Sequence, residues 1–246
     1  MTTRNATAAV IGAGDYIGSA IARKFAREGY TVFAGRRTGD KLLQLKADIE
    51  STGGACHARA LDARKEEDVI AFLNEADAHA PLEVCVFNPG ANVNFPILET
   101  TEKLFFKAWE LACYAGFLVG REAARVMVPR GKGTILFTGA TASLRGGKGF
   151  AAFSAAKFGL RAVAQAMARE LGPKNIHVVH LIIDAGVDSE AIHARMKAAS
   201  GIDAKDIPPD SLTKTNSIAE AYWFAHQQAK DGWTHELDLR PAGEKW

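Results

Sequence analysis

Cysteine is scarce in these 246 residues: Cys56, Cys85 and Cys113 are odd in number, scattered, and form no CxxC pair. That excludes a disulfide framework and a thiolate zinc site, and fits a reducing cytoplasm. No cluster of His, Asp or Glu has metal-ligand spacing either. An excess of one charge is also missing, since the formal net charge is +2 and no dense Lys/Arg stripe occurs. Nucleic acid and other polyanions are therefore not expected as partners. Nor does any apolar run approach the roughly 18 residues that would suggest a membrane span. The opening MTTRNATAAVIGAG lacks the apolar leader of a secretory signal and enters a strand directly, so a soluble cytoplasmic protein is expected. Internal repeats and low-complexity segments are absent.

What remains is an ordinary globular composition, 48% hydrophobic and 24% charged, at a length that suits one substantial core. Short β-rich runs alternate with longer helical patterns. Strands are expected at 7–11, 31–35, 57–61, 83–87, 133–138, 177–183 and 235–239. Helices are expected over 17–29, about 40–51, 66–79, about 101–128, and from about 150 to Leu171. Such alternation implies βαβ units on a parallel sheet, and the apolar runs EVCVF and HVVHLII suit strands covered on both faces. Only 200–216 lacks clear periodicity. Pro208 and Pro209 interrupt any helix there, so that stretch is expected to be a lid or flexible tip, within a loop/helix segment over about 190–216 that covers a substrate.

After the first strand comes Gly12-Ala-Gly14-Asp-Tyr16-Ile17-Gly18, opening into a helix. Glycines allow a tight turn and close backbone approach, while a helix N-terminus offers unpaired N–H groups and partial positive charge to a pyrophosphate. Placed between strand and helix in an alternating chain, this is the pattern of a dinucleotide site. The second strand ends in Arg36-Arg37 without an acid. A pair of guanidiniums suits the 2′-phosphate of NADP(H) better than the ribose hydroxyls of NAD(H).

With these motifs in place, the chain resembles a short-chain dehydrogenase/reductase of the compact single-domain type over nearly its whole length. The resemblance implies one domain over 1–246: a seven-stranded, doubly wound parallel sheet of Rossmann type in three α/β/α layers. It also implies a small-molecule substrate and a homo-oligomer, usually a tetramer, associating through the two long helices and the C-terminal strand. It assigns Asp62 and the adjacent Ala63 to the adenine and places Asn88 and Gly90, in Asn-Pro-Gly-Ala, along the cofactor. Val187, in the turn after the sixth strand, falls near the nicotinamide.

The departures from that family concern chemistry. Tyr16 stands where the family's glycine loop has its second glycine. In FSAAK (153–157), Phe153 stands one helical turn before Lys157, where the family has its proton-donating tyrosine. Ala140 falls at the position of the carbonyl-binding serine and Cys113 at that of the relay asparagine, leaving Lys157 to hold the nicotinamide ribose. Tyr114 and Asp184 are candidate replacement acids, and Thr141 and Ser143 could bind a substrate oxygen. Tyr114 reads equally well as an interface or core aromatic, Asp184 as a helix cap, and Thr141 and Ser143 as turn formers. His193 is a weaker candidate in the covering segment. Two functions stay open: an NADP(H)-dependent oxidoreductase with an atypical site, reducing a C=O, C=N or C=C bond, or a catalytically inactive NADP(H)-binding relative with a regulatory or structural role.

Overall fold

The computed structural model describes residues 3–243; the outermost residues of the expected 1–246 range lie outside it. Strand β1 (Thr7–Ile11) leads into helix α1 (Ile17–Arg27), then β2 (Thr31–Arg36), α2 (Leu43–Ser51), β3 (Ala55–Ala60) and α3 (Glu66–His79). Strand β4 (Leu82–Phe87) is followed by α4 (Glu102–Trp109), a π-turn over Glu110–Tyr114, α5 (Ala115–Met127) and β5 (Gly133–Ala140). The chain ends with α6 (Ala151–Leu171), β6 (Ile176–Ile183), α7 (Glu190–Ser200), α8 (Thr215–His226) and β7 (Glu236–Leu239).

All seven strands lie in one parallel sheet in the order β3-β2-β1-β4-β5-β6-β7. Every residue of β6 is buried, which is why its sequence shows no polar alternation. On one face, Ile21 and Phe25 of α1, Leu45 and Ile49 of α2, and Tyr222 and Trp223 of α8 close the core. On the other, Phe72 and Leu73 of α3, Val119 and Met127 of α5, and Leu160 of α6 do the same. Each fully buried aromatic or aliphatic side chain contributes about 1.5–3 kcal/mol through removal from water. The strand order reverses between β1 and β4, so the chain leaves those two carboxyl ends in opposite directions and opens a crevice there.

The expected strands and helices are present with small shifts. The third strand begins at Ala55 rather than at 57, and the second helix starts as a 3₁₀ turn over Gly39–Leu42. One helix fills part of the covering segment and one goes beyond the expectation. Helix α7 occupies the first part of the expected loop/helix segment, capped by Ser189, whose Oγ accepts from the Ile192 N–H, and ended by Gly201 at φ +72°. Helix α8 buries Ile218, Ala219, Tyr222 and Trp223 against α1, with Trp223 edge-on to Phe25 at 5.6 Å. Their i, i+4 spacing carries the helical signal that the neighbouring prolines obscure.

Candidate active site

Two glycines of the first loop are fixed by sterics. Gly12 has φ +81°, and a Cβ built on it would lie 2.8 Å from the Pro89 nitrogen; one on Gly18 would lie 2.2 Å from the Gly12 oxygen. Gly14 is different. Its Cβ would meet nothing closer than 4.0 Å, so bare backbone there faces open space. The same holds at Gly90, where a Cβ would have no neighbour within 4 Å. No side chain caps α1, leaving its first turn to whatever occupies the crevice.

Asn88 ties this loop to the middle of the sheet. Its Nδ2 donates to the Gly12 oxygen at 2.9 Å, and its Oδ1 accepts from Thr138 Oγ1 at 3.0 Å. Because the single Thr138 hydroxyl proton is used there, the 2.6 Å contact between Thr138 and Tyr222 has the Tyr222 hydroxyl donating. Tyr222 is fully buried and its proton is engaged. Ser143 is also fully buried and accepts from the Ala140 N–H at 3.2 Å. Neither side chain lines the crevice.

The crevice is a cavity of about 760 Å³. The first turn of α1, Phe150 and Phe153 are all part of its wall. Lys157 also lines it, 2% exposed, with Nζ donating to the Thr138 oxygen at 2.8 Å and the Pro89 oxygen at 3.2 Å. Burial makes the ammonium costly and lowers its pKa to about 8. Two of its three protons have protein acceptors.

Among the residues singled out from sequence, Gly14, Tyr16, Ile17, Gly18, Asn88, Gly90, Lys157 and Val187 line this one cavity, as do Phe153, Ala140 and Thr141. Others do not. Gly12 lies behind the loop it shapes. Arg36 pairs at 2.8 Å with Asp15, which is on the wall, and Arg37 is exposed beside it. Asp62 is gripped by Arg64 through Nη2 at 2.6 Å and Nε at 2.9 Å, and that hydrogen bonding lowers its pKa; Ala63 is buried next to it.

Tyr114 belongs to a different surface, its ring stacked on Trp109 at 5.9 Å. Cys113 is buried against Gly159 of α6, and His193 pairs with Asp188 at 2.8 Å. Asp184 is completely buried under the wall, held by Arg145 at 2.9 Å and Arg240 at 2.9 Å. Burial opposes its charge, but hydrogen bonds from Thr141 and Arg145 and the arginine charges outweigh that and lower its pKa. A carboxyl held ionised in this way has no proton to donate near neutrality.

Sequence reasoning passed over Arg145, Ser154 and Arg195, all of which line the cavity. Ser154 is adjacent to Phe153 and could have been found from the same helix face. Arg195 follows only once α7 is recognised, and Arg145 only once β5 and β6 are placed side by side.

Residues 6–198 match the short chain dehydrogenase family. A crystal structure of a short-chain dehydrogenase from Rhodopseudomonas palustris is 60% identical, with a TM-score of 0.83, covering 97% of this chain and 99% of that one. A metagenomic short-chain oxidoreductase in complex with NADP superposes with a TM-score of 0.82 at 22% identity, covering 98% of this chain and 99% of that one. The NADPH-dependent 1-acyldihydroxyacetone phosphate reductase of Saccharomyces cerevisiae is 26% identical over 227 residues, 91% of this chain and 72% of the yeast protein. The matched span contains the glycine loop, Asn88 and Lys157, and the chain therefore belongs to the short-chain dehydrogenase/reductase family of oxidoreductases.

Proposed function

We propose that this protein is an NADP(H)-dependent oxidoreductase that reduces a C=O, C=N or C=C bond of a small molecule without a tyrosine as proton donor. The reading rests on one observation above all: Lys157 is buried in the wall of the cavity closed by the Gly12–Gly18 loop, while its neighbour on that wall is Phe153. The residues suit the cofactor. Open space at Gly14 and Gly90 admits close approach to backbone, the uncapped start of α1 suits a diphosphate, and Arg36 and Arg37 supply cations for a 2′-phosphate. The naming of NADP and NADPH among relatives and structural neighbours agrees with that choice.

Bound there, NADPH supplies a hydride. The chain itself must hold the ribose and manage the proton. Lys157 has one N–H left for the cavity, which can be directed either to a ribose hydroxyl or to the substrate. Its pKa of about 8 also makes Nζ a competent acid near neutral pH, where a lysine at its usual value would not release a proton readily. Phe153 contributes an apolar surface and no proton. Thr141 and Ser154 offer hydroxyls for a substrate heteroatom. A cationic iminium substrate would need no acid at all.

In this reading 190–216 covers the substrate, and copies of the chain associate through α4, α5 and α6. The exposed Phe106, Trp109, Phe117 and Phe158 lie on those helices, and light scattering would give the oligomeric state. A cytoplasmic location is part of the same proposal; among the described residues no helix is long and apolar enough to cross a membrane.

The test follows NADPH absorbance against panels of ketones, cyclic imines and enones, with wild type beside Lys157→Ala and Phe153→Tyr. Consumption by wild type that disappears in Lys157→Ala supports the reading. Tight cofactor binding with no consumption on any panel would instead establish a non-catalytic NADP(H)-binding protein. Appearance of ketone reduction in Phe153→Tyr would show that the pocket keeps the family geometry and lacks only the acid. Replacing Arg36 and Arg37 by Gln should weaken NADPH far more than NADH; equal weakening would refute the NADP(H) choice.

A further inference from the structure

Several residues of the cavity wall are not used by the cofactor assignments, and the charge they carry is of one sign. Arg145 and Arg195 both line the cavity. Among the described residues the only carboxylate on the wall is Asp15, at the glycine-loop end and already paired with Arg36 at 2.8 Å. Arg195, exposed on α7, has no ion pair among the described residues.

Arg145 keeps donors to spare after pairing with its counterion. The buried Asp184 beneath it is shared with Arg240 at 2.9 Å, and Arg240 also holds Asp238 at 2.8 Å. Arg145 reaches Asp184 from the cavity side with its side chain 49% exposed. Its two contacts with Asp184, Nη1 to Oδ2 at 2.9 Å and Nη2 to Oδ1 at 3.1 Å, fix the plane of the guanidinium. They use one N–H of each terminal nitrogen and leave three of its five without an acceptor among the described residues. A planar cation anchored from behind and open in front is the arrangement that takes an oxyanion. Beside it, Phe150 and Phe153, with centroids 6.5 Å apart, give an apolar wall.

We propose that the substrate is a small molecule with an apolar body and an anionic oxygen group, a carboxylate or a phosphate ester, which Arg145 binds and Arg195 closes over. The proposal rests on the reading of this cavity as the substrate site of an oxidoreductase. Anchoring the charged end at Arg145 would position the apolar body against Phe153, beside Lys157.

Isothermal titration of the full chain with benzoate, phenyl phosphate and the neutral isostere benzamide, each with and without NADP⁺, tests it. Either anion should bind at least tenfold more tightly than benzamide, and whichever anion binds better identifies the group. Arg145→Gln should abolish that preference, and Arg195→Gln should reduce it at least threefold. Should Arg145→Gln fail to fold, Arg195→Gln and the wild-type preference decide. Benzamide binding as well as both anions, or a preference untouched by either substitution, overturns the proposal. NADPH titration by fluorescence separates the two readings: an anion preference in a protein that binds no NADPH would sink the oxidoreductase reading and leave the anion site standing. NADPH binding without anion preference would do the reverse.

Discussion

The two ends of the cavity are built by opposite means. The Gly12–Gly18 loop is held by backbone packed so closely that a single methyl at Gly18 would overlap the Gly12 oxygen. Helix α7 at the other end buries none of its side chains; it is tied down by the Ser189 cap and by a single bridge between Val187 and Thr213. One end is specified by atoms that cannot move, the other by a surface that can change sequence without disturbing the sheet.

The sharpest way to break the contrast is at Gly18. Gly18→Val places three carbons where none fits, so we expect no measurable NADPH binding and a loss of stability of about 1–3 kcal/mol or more. Fluorescence titration and thermal unfolding would show both. A variant that folds normally and binds NADPH would mean the loop is as adaptable as α7.

Next in size is Lys157, midway between the two ends. Lys157→Met should lower the rate of NADPH consumption by roughly 10²–10⁴, the usual worth of a positioned acid. In wild type, kcat/KM should fall as pH rises through about 8, because deprotonation removes the donor. A profile flat from neutrality to well above that value would leave Lys157 a purely structural cation.

How much of this was legible in the sequence follows the same division. The glycine loop, Asn88 and Lys157 could be read because backbone geometry and helix spacing leave local marks, such as glycines at a strand–helix junction or two residues one turn apart. Asp184 was singled out for its place at a strand end, but its partners Arg145 and Arg240 are distant in sequence and meet it only when β5, β6 and β7 are aligned. Tyr114 follows Cys113 in the chain, yet the π-turn over Glu110–Tyr114 resets the helix phase, and its ring stacks on Trp109 instead of lining the cavity. Helix α7 could be read only as part of a loop/helix segment over about 190–216, without bounds, because none of its residues is buried.

A smaller effect probes the rigid side from within. His180 is buried and His226 half-buried, and loss of contact with water lowers the pKa of each to about 4. Unfolding exposes them to water, where they regain a value near 6.5. Between those values the unfolded chain binds more protons, so stability falls as pH drops from about 6.5 towards 4, by about 1.4 kcal/mol per pH unit for each histidine. Above 6.5 neither contributes. Glu236, held near 2 chiefly by its hydrogen bond from Arg161, loses its contribution only as pH falls from its usual 4.5 towards 2, below the range measured. Denaturant midpoints at pH 7, 6 and 5 measure the slope, to which His57 and His177, also lowered by burial, add in the same direction, and His226→Gln should reduce it.

The smallest effect is expected at α7, and it tests the comparison from the loose side. Ala198 is exposed in the body of that helix, and Ala198→Gly costs about 1 kcal/mol wherever helix formation is counted. If α7 opens on its own, the global unfolding midpoint already includes little from it and should move by less than about 0.5 kcal/mol. The full penalty should appear instead as local loss of amide protection in 190–200, about fivefold faster exchange, while β6 is unaffected. A global loss equal to the helix penalty would show that α7 belongs to the same cooperative unit as the sheet. The α7 side of the cavity would then be as firmly built as the glycine-loop side, by contacts that burial alone does not reveal.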